Sequence, residues 1–324
     1  MVRYFLAGLV TVALLPAVGQ ADEDAVAPPA RRWAGSSISL AHYIGVTTFA
    51  PGVDLTYNPH VGQALSFDPR WQLGGRSRIA LLAHLDVSTE LTDSDVTSYE
   101  RQPLLSDFWV TAARPLPRLP GGLEGTAALR LVLPTSRESR ARERLFALRA
   151  SGSLGRAWPV GGGDIVLKPI LTLSASGIAA TARSLTYDAP TITTCRAEGG
   201  SCAELDHSGA RSSVAVLEEG LALTATFPHR LTAVASMTLV QQRLYALDEI
   251  TNPVTGEPVP PSEVNTNWRH LMLYVLGVDW KINERFTVGG GLQTITPQQK
   301  PDSTTYAPFF NRHTQVYVTT SVVF

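Results

Sequence analysis

Cysteine, lysine and long apolar runs are scarce in this chain, and each shortage excludes something. Only 2 cysteines occur in 324 residues. With His207 as the one histidine close by, Cys195 and Cys202 fall short of the four ligands that a structural zinc site needs. Neither a metal nor a cofactor is expected. Lysine occurs only at Lys168, Lys281 and Lys300, and the formal net charge is −1. A nucleic-acid partner, which requires a basic excess or stripe, is not expected either. The one apolar run reaches from Tyr4 to about Val18, too short for a confident helical membrane span.

That run sits in MVRYFLAGLVTVALLPAVGQA, behind a basic start at Arg3 and ahead of small residues at Gly19 and Ala21. This is the layout of a cleaved secretory leader, which we place at residues 1–21. Export implies an oxidising compartment. The stretch TCRAEGGSCAEL, with two glycines between its thiols, then reads as a Cys195–Cys202 disulfide closing a small loop.

Helical periodicity is rare in what remains, and alternation with a period of two dominates. It marks twelve segments, near Ser36–Phe49, Leu65–Leu73, Ser77–Leu91, Leu104–Arg114, Leu123–Leu133, Arg144–Trp158, Asp164–Ala180, Arg211–Phe227, Arg230–Tyr245, Asn267–Lys281, Phe286–Thr296 and Asn311–Phe324. Short connections rich in Gly, Pro, Asn and charge alternate with long ones at 50–64, 92–103, 134–143, 181–210, 246–266 and 297–310. A soluble sandwich has no reason to sort its connections in this way. A membrane barrel does, with tight turns on one rim and long loops on the other.

The facing agrees. In SRIALLAHLDVSTEL, Ile79, Leu81, Ala83, Leu85 and Val87 oppose Arg78, Ala80, Leu82, His84, Asp86, Ser88 and Glu90. In NWRHLMLYVLGVDWK, Trp268, Met272, Tyr274, Leu276, Val278 and Trp280 oppose Arg269, Asp279 and Lys281. Trp268 and Trp280 lie roughly 30 Å apart on a strand tilted by about 40°, the separation of two interfacial aromatic girdles. Two places fit badly. Glu218 and Glu219 are adjacent, so one must leave its face unless a bulge absorbs it. Pro134 ends its strand, which reads as the point of exit from the membrane.

The chain closes on QVYVTTSVVF, with Val316, Val318, Thr320, Val322 and Phe324 on one face. An exported leader, alternating strands, connections of two lengths and a last strand ending in Phe together resemble Gram-negative outer-membrane β-barrel proteins. The resemblance implies an all-β, antiparallel, up-and-down barrel of about 12 strands over residues 36–324, preceded by a periplasmic segment at 22–35. It implies localisation in the cell outer membrane and contact with its lipid and lipopolysaccharide. It also implies that Val316, Val318, Val322 and Phe324 form the signal read by the barrel-assembly machinery. Thr320 on the lipid face, and Val322 where an aromatic is often found, depart slightly from the family pattern. More narrowly, the stretch LRLVLPTS resembles outer-membrane transporters associated with aromatic-compound degradation.

Within a barrel the charged positions must face the lumen, since Arg or Lys against mid-bilayer hydrocarbon costs about 2–4 kcal/mol. The candidates are Arg70, Arg78, His84, Asp86, Glu90, Asp107, Glu124, Arg130, Arg149, Lys168, Arg269 and Asp279, with Asp68 and Lys281 beside them. Mixed charge serves either a water-filled passage, as in a porin-like channel for small solutes, or a plugged interior in which the charges pair. A structural barrel whose loops bind a partner is the alternative. There the arginines at 137, 140, 142 and 144 would meet lipopolysaccharide phosphates. An outer-membrane hydrolase is the third reading. Its His-x-Ser pair is missing, because the seven histidines are followed by HYI, HVG, HLD, HSG, HRL, HLM and HTQ. His84 and Asp86 share a face, and Ser88 lies beside them, but mid-strand order alone makes no triad.

Overall fold

The computed structural model describes residues 32–50, 60–73, 78–92, 99–117, 119–161, 165–182, 211–246, 250–251, 258–259, 267–298 and 304–324. The leader, most of residues 22–35 and the Cys195–Cys202 loop lie outside them.

Period-two alternation becomes a single antiparallel sheet of twelve strands. We number them β1 Ser37–Gly45, β2 Val61–Asp68 with its continuation Arg70–Gln72, β3 Ala80–Glu90, and β4 Phe108–Pro115 with a short lead-in Pro103–Leu105. Then come β5 Glu124–Leu133, β6 Arg144–Gly155 with its extension Trp158–Val160, β7 Ile165–Ala180 and β8 Ser213–Phe227. The last four are β9 Leu231–Leu244, β10 Trp268–Lys281, β11 Phe286–Pro297 and β12 Thr314–Val323. Proline sets two local details. Pro69 has no N–H to give and splits β2, while its carbonyl still accepts from Ala83 at 2.9 Å. Strand β5 stops at Leu133, immediately before Pro134. At the β8–β9 turn the chain reverses over Pro228–Arg230, with His229 and Arg230 both at positive φ.

Each strand pairs with its neighbours in sequence, and β1 pairs with β12 from Ser37↔Val323 to Gly45↔Gln315. The sheet therefore closes on itself and leaves no edge. The chain end is held: Phe324 N–H donates to the Ser36 carbonyl and its own carbonyl accepts from Gly35 N–H, both at 2.8 Å. One rim carries the tight turns and both ends of the barrel sequence; the other carries the long connections.

At the closing seam, Tyr43 of β1 and Tyr317 of β12 stand opposite each other. Each lies against a glycine. A Cβ on Gly62 would come within 2.5 Å of the Tyr43 ring, and one on Gly277 within 2.8 Å of Tyr317 Oη. A Cβ on Gly291 would overlap the Leu276 carbonyl as well as meet Tyr317 Oη. Flat aromatic rings filling glycine gaps on neighbouring strands pin the register without crossing the bore.

The two faces differ sharply. Outward, Leu129, Leu171, Leu221 and Val318 are each more than half exposed, and Phe67, Leu131, Leu173, Leu223 and Met237 share that wall. Apolar area on this scale is stable only against hydrocarbon, so the barrel crosses a membrane with its strands. Inward lie His84, Asp86, Glu90, Thr111, Ser174 and Gln242, all buried and polar. No bulge separates Glu218 from Glu219. The ladder runs Glu218↔Val240 and Glu219↔Leu239 without a shift, so Glu218 points inward and Glu219 points at lipid.

Candidate functional site

The inner face of β2–β8 carries one continuous polar band. It begins at His84, whose Nδ1 faces Asp68 Oδ1 at 2.6 Å and whose Nε2 faces Asp86 Oδ2 at 2.9 Å. Both ring nitrogens are therefore engaged by carboxylate oxygens. Its ring stacks on Trp109 of β4, with centroids 4.6 Å apart. Over that same indole, 3.7 Å from its centroid, lies the guanidinium of Arg130 from β5. Arg130 Nε also donates to Thr111 Oγ1 at 3.0 Å. Directly opposite Arg130 in the ladder stands Arg149 of β6. Arg149 reaches over β7 to make a two-pronged pair with Glu218 of β8, whose Oε2 also accepts from Ser174 Oγ at 3.1 Å. Contacts that skip a strand are possible only on the concave side of a curved sheet, which fixes these residues as interior.

Other predicted positions fall at the two rims. Near the turn rim, Lys168 donates to Glu124 Oε2 at 2.6 Å. Asp279 lies against Gly289, where a Cβ would collide with its carboxylate. Arg70 backs onto the Ser36 hydroxyl through its own N–H at 2.9 Å, with its side chain against Gly35. Arg78 is exposed at positive φ just ahead of β3, so it belongs to the turn and not to the bore wall. Near the loop rim, Glu90 is buried and its Oε1 meets His60 Nδ1 at 3.2 Å and Thr92 Oγ1 at 3.1 Å. Arg269 sits on the inner face at the start of β10, opposite Gln242.

Asp107 does something other than line a passage. Its Oδ1 accepts from Ser136 N–H at 2.9 Å, and its Oδ2 from Ser139 Oγ and from Arg144 Nη1 at 3.2 Å. These bonds seat a short helix, α1 Arg137–Ala141, which is N-capped by Ser136. The arginines of this loop are occupied in the same way. Arg137 donates to Gln102, Arg142 to Glu138 and to the Arg211 carbonyl, and Arg144 to Asp107. Arg140 is the exposed one of the four.

Facing the polar band across the bore, the inner face of β10 and β11 holds a small buried apolar cluster, Leu273, Val275 and Ile295, beside the buried Gln293. Leu271 and Val240 adjoin it. Sequence reasoning missed Trp109, Thr111, Ser174 and His60. Glu218 was visible only as a misfit. An inward Trp109 flanked by Val110 and Phe108 is hidden among apolar neighbours, and nothing but the period-two parity of FWVTA separates it from them.

Trp268 and Trp280 project outward from opposite ends of β10, each about half exposed. At the turn rim Glu284, fully exposed, accepts from Lys281 Nζ at 2.8 Å, and this bond, with the charges of Lys281 and Arg230, holds its carboxyl below the usual range.

No family model matches the sequence, and no curated protein matches it. Solved structures match in fold. An outer-membrane channel from Pseudomonas putida F1 superposes with a TM-score of 0.51 at 11% identity, over 92% of this chain and 100% of its own. The NanC porin gives 0.40 at 8% identity, over 89% of this chain and 98% of its own. A TodX monoaromatic hydrocarbon channel variant gives 0.34 at 11% identity, over 91% and 90%. The first of these shows that the chain has the outer-membrane β-barrel fold.

Proposed function

We propose that the protein is a channel of the outer membrane that passes small solutes through a narrow interior lined by charge. One observation carries this reading. A closed barrel with leucines on its outer wall keeps charged side chains on the inner face of six of the seven strands β2–β8, all but β4, and most of them pair across strands. Pairing alone would serve a plug equally well. A channel is favoured because the band is unequal along its length, with acidic groups around His84 and basic groups at Arg130 and Arg149. Such an arrangement sets a transverse field that acts on a solute.

On this reading residues 1–21 are the leader, 22–35 a periplasmic segment and 36–324 the barrel, with turns towards the periplasm and loops outside. Val316, Val318, Val322 and Phe324 then serve the assembly machinery. The outer loops, stapled by Cys195–Cys202 at one of them, meet lipopolysaccharide. A hydrolase gains no support from His84. Both of its ring nitrogens are engaged by Asp68 and Asp86, so neither is within reach of a nucleophile.

Purified barrel added to a planar bilayer should give discrete conductance steps, and liposomes containing it should swell in small neutral solutes. A silent bilayer together with unswollen liposomes overturns the proposal.

A further inference from the structure

We infer that Arg130, with Arg149 beside it, forms a subsite for a carboxylate on the solute. This deepens the channel reading and rests on it to the extent that the inner wall must be reachable from water. Two guanidinium groups stand directly opposite in the β5–β6 ladder, Arg130↔Arg149, at the spacing where like charges destabilise a sheet. One carboxylate is present to answer them, and it is fully committed. Glu218 gives both oxygens to Arg149, and Oε2 also receives Ser174.

Carboxylates on the other side of Trp109 are committed too, since Asp68 and Asp86 hold the two nitrogens of His84. Arg130 makes no ion pair among the described residues. On the β5–β8 side of Trp109 two guanidinium groups face one carboxylate, while on the His84 side two carboxylates face one imidazole, so the positive excess is confined to the Arg130–Arg149 pair.

Arg130 is also held in a fixed pose. Its Nε is tied to Thr111, which is buried, and its plane lies on the indole of Trp109. That leaves both Nη nitrogens without a hydrogen-bond partner among the described residues, on a side chain that is only half-buried. A planar fork held by stacking and one hydrogen bond loses little freedom when an oxyanion docks, which is the condition for useful affinity from a single residue. Bidentate pairing with a carboxylate matches the fork, and a bound anion removes the Arg130–Arg149 repulsion. The substrate class is therefore a small organic acid, with its acid group at Arg130.

The test uses the full barrel, folded in detergent, and sodium propionate as probe. Titration calorimetry should show saturable binding, weakened at least ~10-fold in Arg130→Gln. Arg130→Lys, which keeps the charge but loses the fork, should fall between the two. Folding of each variant is checked by whether its gel mobility changes on boiling. In parallel, bilayer currents should be reduced by added propionate in the parent barrel and unaffected in Arg130→Gln. Absent propionate binding, or equal binding in folded Arg130→Gln, overturns the subsite even where the parent barrel conducts. Saturable binding lost in Arg130→Gln supports the subsite, and in a barrel that does not conduct it leaves only the channel reading to fall.

Discussion

Glu219 is the residue that most openly breaks the pattern of the wall. It points into hydrocarbon between Leu173 and Leu239, with Gln241 Nε2 as its hydrogen-bond partner at 3.4 Å. A carboxylate on a lipid face costs less than Arg or Lys there but still destabilises. Glu219→Leu is expected to stabilise the barrel by on the order of 1 kcal/mol, read as a higher urea midpoint in lipid vesicles. Glu218→Leu, which strands Arg149, should move the midpoint the other way by a few kcal/mol. Opposite signs for two adjacent glutamates are the signature of the unshifted ladder; equal signs would contradict it. The sequence shows that one of the pair must be misplaced but not which one. Parity along β8 depends on whether a bulge intervenes, and a bulge is decided by the partner strands.

Among the elements, the seam and helix α1 show two ways of fixing a barrel. At the seam, shape does the fixing: Tyr43 fills the gap over Gly62, and Tyr317 the gap over Gly277 and Gly291. Gly291→Ala places a methyl group in the Leu276 carbonyl, a backbone atom that cannot swing aside. The folded fraction of that variant should fall by the equivalent of about 3 kcal/mol, at the upper end of overpacking costs. Gly121→Ala, where nothing lies near the new methyl, carries only the strain of its positive φ and should cost about 1 kcal/mol. A larger loss at Gly121 than at Gly291 would refute the seam as a tightly fitted joint.

At α1, charge does the fixing. Asp107→Ala removes acceptors used by Ser136, Ser139 and Arg144 together. Trypsin should then cut the 134–143 loop faster, while the barrel stays folded and keeps its boiling-dependent mobility. Unchanged cleavage would show that Asp107 is not the anchor. The strands themselves are plain in the sequence, because period-two alternation survives in a chain of this type wherever one wall meets lipid. The anchors are not. From the sequence Asp107 is a lumen charge, since nothing local tells an inward carboxylate from one that turns up to seat a loop.

At the scale of the molecule, closure is what alternation with two connection lengths implies, and the end-to-end pairing of β1 with β12 realises it. The site is less legible for a geometric reason. Arg149 and Glu218 are separated by 69 positions and Lys168 and Glu124 by 44, so their meeting depends on curvature and stagger. Which inward residues share a level around the bore cannot be read until the ladder offsets between strands are known. Closure also predicts bulk behaviour. Barrel loaded in sodium dodecyl sulfate without heating should run ahead of the boiled sample, and a single band under both conditions would mean an open sheet.

A ring of strands has no first member. With β1 and β12 already hydrogen-bonded side by side and their tips meeting at Ser37 and Val323, a short peptide could join the two tips. The chain could then be opened instead at 134–143 or another long connection, and every ladder described above would keep its partner. Such a rearranged gene product would hold the same wall and the same bore. Its final residue would no longer be Phe324, so the ordering of strands needed for a stable shape could be studied apart from whatever the cell reads at the carboxyl end.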